Sequence, residues 1–354
     1  MIRQVETVEE NTVKGGQAKA VAVFGAGGHT GRFVMAELTR RGIAPMAVVR
    51  SAATLQQEGV FGPEVDIREA GIDDDASLDR AFAGVDAVIN CAGPFLDTAG
   101  PVAAAAIRAG AHYLDVTAEQ PSAMATFETF DEAARNAGVL TLPAMGFYGG
   151  FGDLLVTAAA GGWTDVDDIR IAIALDTWHP TKGTRITGER NTAQRLVVSN
   201  GSLVPLVPAA DDLEMDFPEP FGRQNVVALP FSEIPVITRH LRPRELHSFL
   251  NRTALRDVRD AATPAPKATD ETGRSPQQFA IDAAIRKGGE TRRIAARGRD
   301  IYAFSAPLIC EAVERLLDGR SRGSGARAPG AVFEAGDFLD ALSAQVPDFE
   351  LIRK

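Results

Sequence analysis

Residues 19–50 read KAVAVFGAGGHTGRFVMAELTRRGIAPMAVVR, and this stretch decides the fold. The apolar run 19–24 breaks into a loop containing Gly25, Gly27, Gly28 and Gly31. Phe33, Val34, Ala36 and Leu38 then recur at helical spacing until Gly42 ends the helix. A second apolar run, Ala44–Val49, stops at Arg50. Strand, glycine loop, helix and strand make a βαβ unit. Gly25, Gly28 and Gly31 spell G-x-x-G-x-x-G, with Gly27 as an extra. Glycine suits such a loop because the backbone turns tightly and meets a phosphate with no Cβ in the way. A helix starting near His29 and Thr30 offers free N–H groups and a positive dipole end to a diphosphate.

The alternation continues. Strand signals at 65–70, 87–90, 112–116 and 139–142 are separated by helical patterns at 76–82, 102–109 and 122–136. That predicts a doubly wound parallel sheet covered on both faces, a Rossmann domain over 18–150. A linking helix is expected at 153–160. From 168 to 299 strand signals dominate, at 169–175, 195–199, 203–207, 226–229 and 236–238. The clearest is QFAIDAAIRKGGETRRIAARG, where Phe279, Ile281, Ala283 and Ile285 alternate into a glycine turn at 287–290. Residues 151–304 are therefore read as an α+β substrate domain with a largely antiparallel sheet. Residues 205–222, rich in Pro and Asp, are a surface loop or a lid. Helices at 306–317 and 337–344 within 305–354 are expected to return to the first domain.

Arg50 bears on the choice of dinucleotide. No acidic residue lies between Glu37 and Glu58, where an NAD site places a carboxylate for the ribose 2′-OH. Arg50 and Ser51 stand there instead, and a guanidinium suits a 2′-phosphate, so NADP(H) is the expected cofactor. At the end of the fourth strand, Asn90-Cys91-Ala92-Gly93-Pro94-Phe95 sits where a dinucleotide passes over the sheet edge. Ala92 and Gly93 admit it closely, and Pro94 and Phe95 complete the turn.

The glycine loop, this turn, and AHYLDVTAE at 111–119 together resemble the saccharopine dehydrogenase-like family, in its saccharopine reductase branch. GRDIYAFSAPLICEAVERLL at 298–317 and FLDAL at 338–342 resemble that family's close. The resemblance implies an NADP-binding Rossmann domain, a substrate domain, and C-terminal helices packed back on the first. It also implies oxidation or reduction of a C–N or C–C bond, and some short relatives act as enoyl reductases. Ala118-Glu119 replaces the frequent Gly-Glu pair, and the loop after Phe95 lacks a common tyrosine, which argues against a pocket tuned for saccharopine.

A tyrosine four residues before a lysine, the short-chain dehydrogenase signature, is absent around Tyr113, Tyr148 and Tyr302. Candidate catalytic residues are Lys182, in a basic glycine-punctuated loop with His179 and Arg185, then Tyr148 and Glu119. The leading expectation is an NADPH-dependent reductase of an imine or activated C=C bond. The alternative is an NADP(H)-binding redox sensor without turnover.

Bulk properties bound the partners. A net charge of −10 argues against nucleic acid as main partner. No apolar run approaches the roughly 20 residues a membrane span needs. The five histidines and two cysteines show no metal-ligand spacing, so no metal is expected. A small-molecule substrate is expected. The polar opening, read as a flexible leader over 1–17, points to the cytoplasm. An exposed antiparallel sheet in the second domain can pair into a homodimer.

Overall fold

A computed structural model describes residues 19–57, 59–207 and 213–353 of the chain. The expected leader over 1–17 lies outside the described residues. In chain order the first elements are β1 (Ala20–Phe24), α1 (His29–Arg40), β2 (Ala44–Val49), α2 (Ala52–Gln57), β3 (Asp66–Glu69) and α3 (Asp75–Phe82). Then come β4 (Ala87–Asn90), α4 (Phe95–Arg108), β5 (His112–Asp115), α5 (Gln120–Ala137), β6 (Leu140–Leu142) and, after an irregular turn, α6 (Gly152–Ala160). The second half runs β7 (Asp165–Leu175), α7 (Lys182–Arg190), β8 (Leu196–Ser199), β9 (Ser202–Pro205), β10 (Leu213–Asp216) and β11 (Arg223–Ala228). It continues with α8 (Glu233–Ile237), β12 (Arg242–Asn251), α9 (Arg252–Arg259), β13 (Gln278–Lys287) and β14 (Glu290–Arg299). The chain closes with α10 (Ile301–Leu317), β15 (Gly325–Ala326), α11 (Pro329–Val332), α12 (Ala335–Gln345) and β16 (Glu350–Arg353).

The first sheet is parallel throughout, in the order β15-β6-β5-β4-β1-β2-β3. Alternation along β1 shows why both its faces are covered. Val21 and Val23 enter one core with Val34 and Leu38 of α1 and Ile309 and Val313 of α10. Ala22 and Phe24 enter a second core with Leu78 and Phe82 of α3 and Val102 and Ala106 of α4. The order reverses beside β1: the chain runs outward through β2 and β3 on one side, then crosses back to β4 on the other. That opens a crevice at the strands' C-terminal ends.

The second sheet is mixed, in the order β10-β11-β12-β7-β13-β14-β16, with β8 and β9 attached beside β12. β12 and β7 run parallel, and the other pairs among the described residues are antiparallel. The alternating segment is the β13–β14 hairpin, and Gly288 and Gly289 turn it with φ of 55° and 90°, where side chains are disfavoured. α10 lies along α1, while β16 joins β14.

Three local expectations change. Residues 236–238, expected as strand, lie in or beside α8; Ile234, Val236 and Ile237 are all buried there, and a short apolar run does not separate strand from buried helix. The basic segment from Lys182 is not a loop but α7, whose first turn is capped by Thr181 accepting from the Thr184 N–H. The central strand β12 carries Arg242, Arg244, Glu245 and His247 between its buried Pro243, Leu246, Ser248 and Leu250, which hides it in the sequence.

Candidate functional site

The glycine loop between β1 and α1 is closely held. Gly25 has φ +82°, and a Cβ there would lie 2.9 Å from Ala92 Cβ. A Cβ on Gly31 would stand 2.3 Å from the Gly25 carbonyl oxygen, so α1 can sit against the loop only with glycine there. One on Gly27 would meet Leu55 at 2.8 Å, and one on Gly28 the Gly25 carbonyl at 3.2 Å. Gly28 is the N-cap of α1 and offers no side-chain acceptor, leaving the first N–H groups of the helix open. His29 is largely enclosed: its ring meets Phe33 and Tyr302 edge-on, each at 5.4 Å. Its Nε2 is buried with no partner among the described residues, and burial lowers its pKa.

At the end of β2, Arg50 is exposed and makes no hydrogen bond or ion pair with a described residue. Ser51 accepts from the Thr54 N–H at 3.4 Å, and Glu69 accepts from the Ala52 N–H at 2.6 Å.

A buried polar cluster shapes the turn after β4. Asn90 accepts from the Ala92 N–H at 3.0 Å and donates to Thr98 Oγ1 and the Tyr113 hydroxyl at 3.1 and 3.3 Å. Tyr113 donates to Asp115 at 2.9 Å, and Asp115 accepts from the Thr117 and Ala144 N–H groups at 2.9 and 2.8 Å. Burial pushes the Asp115 carboxyl up to about 6, against the pull of these donors. The turn itself contains a cis Gly93–Pro94 bond, and the Phe95 N–H donates to Glu119 Oε1 at 2.9 Å.

Beyond these strand ends lies a cavity of about 580 Å³. Thr30, Gly93, Phe95, Ala118 and Glu119 line it from the parallel sheet's side. Tyr148, Trp178, Arg195, Phe231 and Tyr302 line it from the other, with much of α7 and part of α9. A larger groove, about 960 Å³, lies away from the glycine loop, among α5, α8 and the start of β7.

Two acid–base groups face the smaller cavity with unused atoms. Glu119 is 2% exposed, its Oε2 has no partner among the described residues, and burial raises its pKa. Tyr148 is wedged between Phe231 at 4.2 Å and Trp178 at 5.4 Å, its hydroxyl likewise buried and unpartnered. Burial holds that phenol well above its ordinary value, so it is a donor rather than a phenolate. Lys182 is exposed on α7 and does not line the cavity; Thr181, Thr184 and Arg185 do.

Arg195 carries no local sequence signal, yet it lies on the wall. Its guanidinium donates to the Pro230 carbonyl at 2.6 Å and sits 4.9 Å from the Phe231 ring centre, with no carboxylate within ion-pair distance among the described residues. Burial lowers its pKa, against the pull of the Glu233 carboxylate. Among the described residues, no group of three or more potential ligands can hold a metal ion, and no helix is long and apolar enough to cross a membrane.

Residues 21–142 match the model of the saccharopine dehydrogenase NADP binding domain. The saccharopine dehydrogenase-like oxidoreductase of Rattus norvegicus is 32% identical over 145 residues, 36% of this chain and 34% of the relative. That of Homo sapiens is 29% identical over the same extent. The chain thus spans about a third of the length of the curated relatives it matches. The apo saccharopine dehydrogenase (L-Glu forming) of Saccharomyces cerevisiae superposes with a TM-score of 0.65 at 12% identity, covering 94% of this chain and 100% of the other, which extends the shared fold to the second sheet. Residues 21–142 are therefore similar in sequence to the NADP binding domain of saccharopine dehydrogenase, and the chain as a whole shares that enzyme's fold.

Proposed function

We propose that the chain is an NADPH-dependent oxidoreductase that reduces a C=N or activated C=C bond of a small molecule in the cytoplasm. In this reading residues 18–150 hold the dinucleotide, 151–304 receive the substrate, and 305–354 tie the two together. The observation that carries it is the single cavity in which Thr30 and Gly93 meet a protonatable carboxyl, Glu119, and an unpartnered phenol, Tyr148. A bound nicotinamide supplies the hydride. Glu119, whose pKa burial raises, gives a proton from Oε2 to the substrate atom next to the one that receives the hydride, while Oε1 stays bonded to the Phe95 N–H. Tyr148 donates a hydrogen bond to a polar atom of the same substrate. Phe95, Trp178 and Phe231 keep water from the reacting bond.

Arg195 favours the imine reading. Its half-buried guanidinium lines the cavity with no carboxylate within ion-pair distance among the described residues, Glu233 acting on it only from further off, and a substrate carboxylate, as an amino-acid-derived imine carries, would pair with it. Two free thiols, Cys91 and Cys310, suit a reducing compartment. The proposal extends to a homodimer across the second sheet, where Leu203 and Leu213 are 41% and 40% exposed near its margin; light scattering that finds only monomer removes that part.

The test is NADPH consumption with a panel of imines, enoyl compounds and ketones, for the wild type and Glu119→Gln. Turnover of one class, abolished by the substitution while NADPH still binds, supports the proposal. Binding without turnover across the panel favours the sensor.

A further inference from the structure

Tyr302, in the first turn of α10, joins the glycine loop to a wall of the cavity. Its hydroxyl accepts from Trp178 Nε1 at 3.0 Å and from the Thr181 N–H at 3.4 Å, and bonds to Thr184 Oγ1 at 2.9 Å. Two acceptances and one donation use a phenol fully. All three partners belong to α7 or the segment leading into it. The ring of Tyr302 meets His29 edge-on at 5.4 Å, and His29 is the first residue of α1.

α7 needs such an anchor. None of its residues is buried, yet Gly183, Thr184, Arg185, Thr187 and Gly188 line the cavity. Its other ties are to surface groups: Arg185 donates to the Asp260 and Thr263 carbonyls, and Arg190 pairs with the half-exposed Asp97. Such a helix, with little apolar area beneath it, opens locally at small cost.

We propose that Tyr302 is a positioning residue that couples occupancy of the dinucleotide loop to the order of α7, one wall of the cavity. The inference rests on the reading of this cavity as the substrate site. His29 is the first residue of α1, where the helix presents its open N–H groups, and its ring is enclosed between Phe33 and Tyr302. A diphosphate held by those N–H groups fixes the first turn of α1 and with it the His29 ring. The fixed ring steadies the Tyr302 ring, and the Tyr302 hydroxyl steadies Trp178, Thr181 and Thr184. Coupling of this kind is reciprocal: an ordered α7 tightens NADP(H) in turn.

The experiment is amide hydrogen exchange over 182–190 with and without NADPH, in the wild type and in Tyr302→Phe. Phenylalanine keeps the ring against His29 and removes the three hydrogen bonds. In the wild type NADPH slows exchange in α7 by about fivefold or more, the lower end of ordinary coupling. In Tyr302→Phe NADPH still binds, but α7 exchanges quickly and no longer responds. Thr184→Val, which deletes one partner from the other side, loses part of the response and serves if Tyr302→Phe misfolds. Protection in Tyr302→Phe equal to wild type, or none in wild type with NADPH bound, overturns the proposal. A flat NADPH titration of the wild type marks instead the failure of the dinucleotide reading, and removes the proposal with it.

Discussion

Replacing Arg50 by alanine tests the cofactor assignment with little risk to the fold. Arg50 is exposed beyond β2 and makes no hydrogen bond or ion pair with a described residue, so its loss breaks nothing inside the protein. What it removes is a fork of donors for a 2′-phosphate, a charge-assisted interaction of about 1.5–3 kcal/mol. Solvent screening at this exposed place favours the lower end, near tenfold in affinity. Glu69 adds to the effect. Its carboxylate stays bonded to the Ala52 N–H at 2.6 Å, so the variant leaves a net negative charge near the ribose site. NADPH affinity should therefore fall by about tenfold or more at low salt, while NADH affinity changes little. Raising the ionic strength towards about 1 M, where charges act over only about 3 Å, should shrink the wild-type preference and leave the variant nearly unmoved. Fluorescence titration reads both nucleotides directly, since reduced nicotinamide emits. Equal losses for NADPH and NADH would remove Arg50 from the site.

Gly31→Ala should weaken both nucleotides alike and lower the melting temperature, because its Cβ would stand 2.3 Å from the Gly25 carbonyl; overpacking of this kind costs about 1–3 kcal/mol, and unchanged melting and binding would refute the close approach. Asp300 is buried at φ +56° and accepts from the Ser275, Tyr302 and Ala303 N–H groups at 2.7, 3.1 and 3.0 Å. Asp300→Ala should cost about 2–4 kcal/mol in denaturant unfolding, and Asp300→Asn less, since Asn keeps an acceptor and tolerates the left-handed backbone. His240 Nε2 lies 2.6 Å from the buried Asp153, which raises the imidazole above its ordinary 6.5 despite burial. Its contribution to stability is thus full below pH 6.5 and is lost as pH rises through the folded value. Comparing His240→Gln with wild type across that range checks the sign: a gap that widens with pH contradicts it.

Much of the fold was legible because its signals are local. The βαβ repeat is marked by glycines and by apolar runs of strand length, and the β13–β14 hairpin by strict alternation. α4 shows a limit. It begins at Phe95 and runs through Pro101, which in sequence reads as a helix start. α7 has no buried face, so it has no apolar stripe to find, and its basic residues read as a loop. The candidate dinucleotide loop carries its signal in one contiguous run, because a phosphate loop must be contiguous. The far wall of the cavity carries no such signal. Arg195 reaches the cavity only because Pro230 and Phe231 come to it from 35 residues away, and Tyr302 meets Trp178 and Thr184 across 124 and 118 residues. Lys182 had the right chemistry for a proton donor, but the turn of α7 points Thr181 and Thr184 at the cavity instead.

The boundary of the family match separates two kinds of constraint. Residues 21–142 contain the glycine loop, the Gly93–Pro94 turn and Glu119, so the groups that line this side of the cavity lie just beyond the ends of parallel strands. Those positions are fixed by a sheet buried on both faces, where a shift of a strand end disturbs two cores at once. Tyr148, Trp178, Arg195 and Phe231 lie beyond the match, on turns and strand margins over the second sheet, where the likeness to a solved structure is one of fold at 12% identity. Such margins tolerate change without loss of either core. The near wall of the cavity is therefore held by the first sheet, while the far wall is made of side chains on turns and strand margins.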